Sequence, residues 1–369
     1  MSEREPMRIL QVYPKDDTFT GAAIQFFELV CGLTARGHQV VVATRPSERW
    51  EARTKAAGIR YYPVPMRSEI DLRSAMRLAR IIRRHRIQVV HAQKGRARTL
   101  ALMAGLIVKI PVLILNRGVS FPLDPFNRLG YTIGRVTGIV AVCESIKRGL
   151  VQAGVPADKI EVIYSGTDTD RFHPGLDGGA IRRELGVAEH DFLITQIGVR
   201  SWKGNDDVIA AMAGVVAEVS RTRLLIVGAR RPETLSEIAR RHGVEARVHV
   251  LGYREDIAEI LAGSDCCVDA SWAGLGLTGT LRESLAVGTP VIGTDLEGNP
   301  ELVIDGETGF LVPPRDVAAL TAAILRMIRE PELARTMARK GSERVAAMFS
   351  TRAKLERTEA LYRRLLDRQ

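Results

Sequence analysis

The sequence predicts an α/β protein built from two doubly wound, Rossmann-like halves. Three observations point there. The chain is 369 residues long, which suits two domains better than one. Strand-like apolar runs alternate with helical patterns, and the alternation restarts after residue 180. Aromatic residues make up only 5% of a chain that is 46% hydrophobic, a balance typical of parallel strands buried on both faces.

In the first half, residues 8–13 (RILQVY) read as a strand that ends in a loop over 14–20. Residues 22–36 carry helical apolar spacing at Ile24, Phe27, Leu29, Val30 and Leu33, and Gly37 stops the helix. Strands follow at 39–44, 87–91, 111–115 and 138–142, with a helix over 72–85 whose apolar positions lie among arginines. The longest apolar stretch, 99–115, contains Lys109 and Pro111 and is shorter than a bilayer requires, so it reads as a helix followed by a strand. In the second half, strands are expected at 192–197, 223–227, 248–251, 266–268 and 290–293, and a helix at 207–219. A highly charged helix over 350–367 closes the chain. Ligands of such sheets bind at the carboxyl ends of the strands.

Composition narrows the chemistry. The cysteines, Cys31, Cys143, Cys266 and Cys267, form no CxxC pair, which argues against a disulfide framework or a zinc site and for a reducing compartment. The start of the sequence does not read as a secretory signal. A cytoplasmic protein is therefore expected, with peripheral attachment to the inner face of a membrane as a further option. The net charge is +10. Residues 1–180 hold 27 Lys and Arg against 16 Asp and Glu, so the whole excess lies in the first half. It concentrates between Arg53 and Arg98, where 13 basic residues face only Glu69 and Asp71. Such a half seeks an anionic partner: a membrane surface or a phosphorylated acceptor rather than nucleic acid.

The first strand–helix loop carries Gly21, which lets backbone N–H groups and a helix N-terminus approach a phosphate. It is not a GxGxxG loop, so a dinucleotide is not implied. Residues 162–172 (VIYSGTDTDRF) are more specific. They closely resemble the "PNGVDTDRF" signature of retaining GT-B glycosyltransferases of family 4, with Ser165 where Asn is usual. The resemblance extends to 141–145 (AVCES), 252–256 (GYRED), 283–300 (ESLAVGTPVIGTDLEGNP) and 301–313 (ELVIDGETGFLVP), and covers about residues 8–365.

The resemblance implies a GT-B fold with two Rossmann-like domains facing a central cleft. Residues 1–175 would form an acceptor-binding domain, with a helix at about 350–369 packing back on it, and 176–349 a donor-binding domain. It implies sugar transfer with retention from a nucleotide-sugar to a glycan or lipid-linked acceptor, in polysaccharide or lipopolysaccharide synthesis, with no metal or other cofactor.

Residue by residue, the family holds the donor diphosphate with an Arg and a Lys. Two fixed cations stabilise a leaving group that gains charge in the transition state. Lys203 matches, and Arg200 stands at Arg-x2-Lys spacing where Arg-x4-Lys is usual. Glu283 matches the second Glu of an E-x7-E motif and would accept hydrogen bonds from ribose hydroxyls. The first Glu of that motif is replaced by Leu275. Leu277, Thr278, Gly279 and Thr280 remain as candidate sugar- or phosphate-binding residues, with Tyr253 and Arg254 of the GYRED segment. Many members carry a His where this chain has Arg117, which cannot act as a base but suits a diphosphate or an anionic acceptor. His91, Lys94 and Arg96, after another strand of the first half, are candidates for the acceptor. The two substitutions at Leu275 and Arg117 keep open a catalytically degenerate nucleotide- or glycan-binding scaffold. A nucleotide-sugar epimerase is the other alternative, and it would need a carboxylate that Leu275 removes.

Overall fold

A computed structural model describes residues 5–274 and 276–369; Leu275 lies outside the described residues, as does the side chain of Phe126. The chain divides into two compact units, residues 1–166 with 351–369, and residues 167–350.

The first unit is a seven-stranded parallel sheet. Its strands are β1 (Arg8–Tyr13), β2 (Gln39–Thr44), β3 (Arg60–Pro63), β4 (Val89–Gln93), β5 (Val112–Arg117), β6 (Gly138–Ala141) and β7 (Ile160–Val162). Their order is β3-β2-β1-β4-β5-β6-β7, so the winding reverses between β1 and β4. Side chains alternate across the sheet. Leu10, Val12, Val41, Val90 and Leu113 face the helices Leu72–Arg84 and Lys94–Ile107. Ile9, Val40, Val42, Val89 and Val112 face the opposite layer. That layer holds the helix Gly21–Ala35 and the helix Thr351–Leu366, whose Leu355, Leu361, Tyr362 and Leu365 complete its core.

The charged helix expected over 350–367 is present as Thr351–Leu366, and a further helix, Pro331–Met348, precedes it. Pro331–Met348 belongs to the second unit and Thr351–Leu366 to the first. Strands β3 and β7 escape a period-two search because they are three or four residues long and only partly buried.

The second unit repeats the plan with six parallel strands: β8 (Phe192–Ile197), β9 (Thr222–Val227), β10 (Val248–Leu251), β11 (Cys266–Asp269), β12 (Val291–Thr294) and β13 (Phe310–Val312). The order is β10-β9-β8-β11-β12-β13, with the reversal between β8 and β11. In sheets of this kind the crevice outside the carboxyl ends of the two strands flanking the reversal is where ligands bind. Each unit has one such place. No helix among the described residues is long and apolar enough to cross a membrane.

Candidate functional site

In the second unit, loop 198–204 leaves β8 at the reversal. Gly204 has φ +62°, and a Cβ there would stand 2.2 Å from the carbonyl oxygen of Ala270, so only glycine lets the loop lie against the end of β11. Gln196 and Asn205 fix the loop further: the Gln196 amide donates to the Lys203 carbonyl at 2.8 Å, and Asn205 donates to Gln196 at 2.8 Å.

This scaffold presents the Lys203 ammonium to Asp269, the last residue of β11, in a close ion pair. Asp269 is 1% exposed, so the pair stands at the edge of the core. The Asp269 carboxylate also accepts from the backbone N–H of Ser271. The hydroxyl of Ser271 is buried and has no partner.

The helix Gly279–Val287 starts at the same edge. Thr278 is its N-cap residue but makes no side-chain cap bond, and its first turn holds no acid. Its leading N–H groups therefore keep their capacity for an anion. Glu283 lies one turn in, with Oε1 3.8 Å from where a Cβ of Gly279 would stand. Burial pushes its carboxyl above the usual range, opposed by the charges of Arg282, Arg171 and Lys203. Lys203, Asp269, Glu283 and this helix start thus form one group.

Other residues expected at the donor are placed differently. Arg200 is exposed and donates to the Val199 carbonyl. Arg254 is clamped by Asp256 (2.8 and 2.6 Å) and Glu184 (2.7 and 3.0 Å), so its guanidinium joins two parts of the unit instead of facing a ligand. Tyr253 is 71% exposed beside it. The Thr278 hydroxyl is spent on Asn299 (2.7 Å), which in turn donates to the Thr294 carbonyl. Leu277 is buried, while Gly279 and Thr280 are partly exposed at the helix start. Asp269 escaped the sequence reading. Its signal is a carboxylate directly after the buried run 266–268, at the carboxyl end of a strand.

In the first unit, the reversal brings together the loop after β1 and the start of the helix Lys94–Ile107 after β4. The Lys94 backbone is left-handed, φ 66°, a conformation that costs a non-glycine residue about 1–3 kcal/mol and that collects at functional sites. Its ammonium lies 5.3 Å from the centre of the Tyr13 ring. Burial, then Lys15, pull its pKa down to about 8, with Asp17 acting the other way. Lys15 has Asp17 at 4.0 Å.

The helix start at Gly21 is served by its own chain. Thr20 caps it through Ala23, and Asp17 accepts from the Thr20 hydroxyl at 2.5 Å. Arg96 donates to the Met66 carbonyl at 2.9 Å, holding the neighbouring loop. Arg117 is tied to the Phe121 carbonyl within its own loop.

His91 is a correction. It is 2% exposed, its Nδ1 lies 2.6 Å from the Tyr362 hydroxyl, and Gln11 donates to the same hydroxyl at 3.0 Å. Gln11 and His91 are partners in the β1–β4 register, so both reach the C-terminal helix from one face. Burial lowers the His91 pKa to about 3, and it stays neutral inside the core. A polar residue at a strand end is legible in sequence, but the face on which it points is not.

The helix Leu72–Arg84 buries Ala75, Leu78, Ala79, Ile81 and Ile82 and exposes Arg73, Arg77, Arg80, Arg83 and Arg84. Ile70, Leu72 and Met76 are exposed at its leading end.

Two family models match the chain, one per unit: Glycosyltransferase Family 4 over residues 19–171 and Glycosyl transferases group 1 over 192–330. The chain is 27% identical to the N-acetyl-alpha-D-glucosaminyl L-malate synthase of Bacillus anthracis, covering 82% of each. It is 28% identical to the GDP-mannose-dependent alpha-(1-6)-phosphatidylinositol monomannoside mannosyltransferase of Mycolicibacterium smegmatis, covering 86% of this chain and 88% of that one. Among solved structures, Anabaena Alr3699/HepE in complex with UDP superposes with a TM-score of 0.86 at 20% identity, covering 96% of this chain and 99% of that one.

Proposed function

This chain belongs to the family 4, group 1 glycosyltransferases of the GT-B class, and we propose that it moves a glycosyl group, with retention, from a nucleoside-diphosphate sugar to an anionic glycan or lipid-linked acceptor. The observation that carries this reading is the group at the reversal of the second sheet: Lys203 on Asp269, the open helix start at 279–287, and Glu283 one turn in. The leading N–H groups of that helix and the Lys203 ammonium suit a diphosphate, and Glu283 suits the ribose hydroxyls.

As the bond from the sugar to the diphosphate oxygen breaks, its electron pair passes to that oxygen. Lys203 and the helix start stabilise the charge gained there. The acceptor hydroxyl bonds to the sugar carbon on the face the diphosphate leaves, and its proton passes to the leaving phosphate. No step calls for a protein nucleophile, which is compatible with Leu275 in place of Glu. We expect turnover to persist with a metal chelator present.

The relatives named above act, by their names, on L-malate and on a phosphatidylinositol mannoside, both anionic, which supports an anionic acceptor here. The arginine row of Leu72–Arg84, with Ile70, Leu72 and Met76 at its leading end, suits shallow attachment to anionic lipid.

Thermal stabilisation by UDP, GDP, ADP, TDP and CMP tests the donor site. A ligand at a hundred times its Kd adds about 2.7 kcal/mol. One diphosphate is expected to stand out, and Glu283→Ala to lose the shift. If none shifts the wild type, the donor assignment fails. Leu275 favours one second reading, a binding scaffold without turnover. Release of free nucleoside diphosphate from the matching nucleotide-sugar on adding acceptor separates the two.

A further inference from the structure

The donor group assigned above leaves one part of a nucleotide-sugar unserved. Lys203 and the start of the helix Gly279–Val287 suit the diphosphate, and Glu283 suits the ribose. None of them is left for the hydroxyls of the sugar. Such hydroxyls donate, and a carboxylate, which only accepts, can serve two of them at once. Leu275 removes the carboxylate that the E-x7-E motif would put in the loop after β11.

The loop after β12 brings another carboxylate to the same edge. In the β11–β12 register Asp269 lies opposite Gly293, so β12 ends beside the residue that pairs with Lys203. A Cβ on Gly293 would stand 2.8 Å from Cδ1 of Leu281, so this end of β12 packs closely against the helix Gly279–Val287. Three side-chain bonds then fasten the loop. The Thr294 hydroxyl donates to the Ser271 carbonyl at 2.7 Å, in the loop that carries Leu275. The Thr278 hydroxyl donates to Asn299 at 2.7 Å, and Asn299 donates to the Thr294 carbonyl at 3.0 Å. Both ends of the segment 294–299 are thereby tied to the loop and the N-cap residue that lead into the helix.

Glu297 sits within that segment. Its backbone is left-handed, φ 54°, a conformation that glycine adopts freely and other residues adopt under strain. Strain of this kind collects at ligand sites. The side chain is not turned out to water. Glu297 is only partly exposed and its Oε2 is buried, whereas Asp295, the other acid of the segment, is exposed.

We propose that Glu297 accepts hydrogen bonds from the hydroxyls of the donor's glycosyl group and so selects the sugar, in place of the carboxylate absent at Leu275. This role rests on the transferase reading above and adds to it the residue that reads the sugar. The left-handed backbone is the strain accepted to hold that carboxylate at the edge where Lys203 and the helix start hold the diphosphate.

Calorimetric titration of the full chain compares a free nucleoside diphosphate, of the base that stabilises the chain most, with its glucose, galactose and mannose esters. The readout is the ratio of ester Kd to free-diphosphate Kd in wild type, Glu297→Gly and Glu297→Gln. Glu297→Gly should weaken the preferred ester about tenfold or more, the order of one charge-assisted hydrogen bond, and leave the free diphosphate unchanged. Glu297→Gln keeps one acceptor oxygen and should lose less. The Gly variant should fold with an unchanged or higher Tm, because glycine carries no strain at this φ; the loss of ester binding then cannot be unfolding. Adding Leu275→Glu to Glu297→Gly should restore ester binding. A ratio unchanged by both substitutions would overturn the role. So would equal weakening of ester and free diphosphate, a wild type that binds none of the esters, or no recovery in the double variant. If no nucleoside diphosphate binds the wild type, the donor reading fails and the role of Glu297 with it, a result seen in the free-diphosphate titration alone.

Discussion

The two sheets reverse their winding at equivalent places, and each reversal presents a lysine, yet the lysines are treated oppositely. In the second unit Lys203 meets a buried carboxylate, Asp269, supplied by the neighbouring strand. In the first unit Lys94 lies over the Tyr13 ring at 5.3 Å, with the charges of Lys15 and Asp17 acting on it in opposite senses. One site pairs its lysine with a carboxylate at the edge of the core. In the other, Lys94 feels both a like charge, Lys15, and a carboxylate, Asp17, which lies 4.0 Å from Lys15. Identical strand order therefore does not give identical electrostatics. The residue at the end of the neighbouring strand decides it: Asp269, the last residue of β11, in one case, and Lys94, just after β4, in the other.

The largest effect should come from breaking the neutral pair. Lys203→Met leaves Asp269 buried and unpaired, which costs about 3–5 kcal/mol of stability, and turnover should fall by about 10²–10³, the scale of one lost electrostatic contact in a transition state. Adding Asp269→Leu should restore thermal stability but not turnover. If the double variant recovers turnover, Lys203 has no part in transfer.

Glu283→Gln comes next. The carboxyl has a raised pKa, so the folded state binds its proton more tightly than the unfolded state. Its stabilising effect is complete below the ordinary Glu pKa and is lost as pH rises towards the raised value. At pH 7 the Gln variant should be more stable than wild type while binding nucleoside diphosphate more weakly. A Tm below wild type would contradict that sign.

Tyr362→Phe strips Gln11 and His91 of a shared partner and should cost about 1–3 kcal/mol without changing nucleotide affinity. His91 adds a pH signature. Its folded pKa is about 3 against an ordinary 6.5, so wild-type stability should fall as pH drops from about 6.5 towards 3. His91→Gln should flatten that limb of the stability curve.

The Lys94 contact has the opposite limb. With a folded pKa of about 8 against 10.5, its destabilising effect is complete below pH 8, and stability should recover as pH rises towards 10.5. Lys94→Gly should remove this rise. The smallest effect should be that of Arg254→Ala, which loses partly exposed pairs worth about 1 kcal/mol or less. Nucleotide affinity should not change, since the guanidinium already faces Glu184 and Asp256.

Continuous apolar runs and glycine stops made both parallel sheets readable from the sequence, because strands buried on both faces leave continuous runs of Val, Ile and Leu. The short β3, β7 and β13 gave no such signal. Lys203 and Glu283 were readable because they follow a strand or sit in a helix at motif spacing. Asp269, Lys15 and Arg98 were not. Each takes its meaning from a partner that is distant in the chain: Asp269 from a lysine 66 residues earlier, Lys15 from Lys94 on another strand's loop, and Arg98 from Asn127 and the Tyr131 ring. His91 shows the same limit from the other side. The sequence by itself determined that a polar residue lies near the end of β4, through strand length and alternation. Only the tertiary structure decided that it faces Tyr362 in the core, because the side of the sheet covered by the C-terminal helix is a matter of packing between segments 271 residues apart.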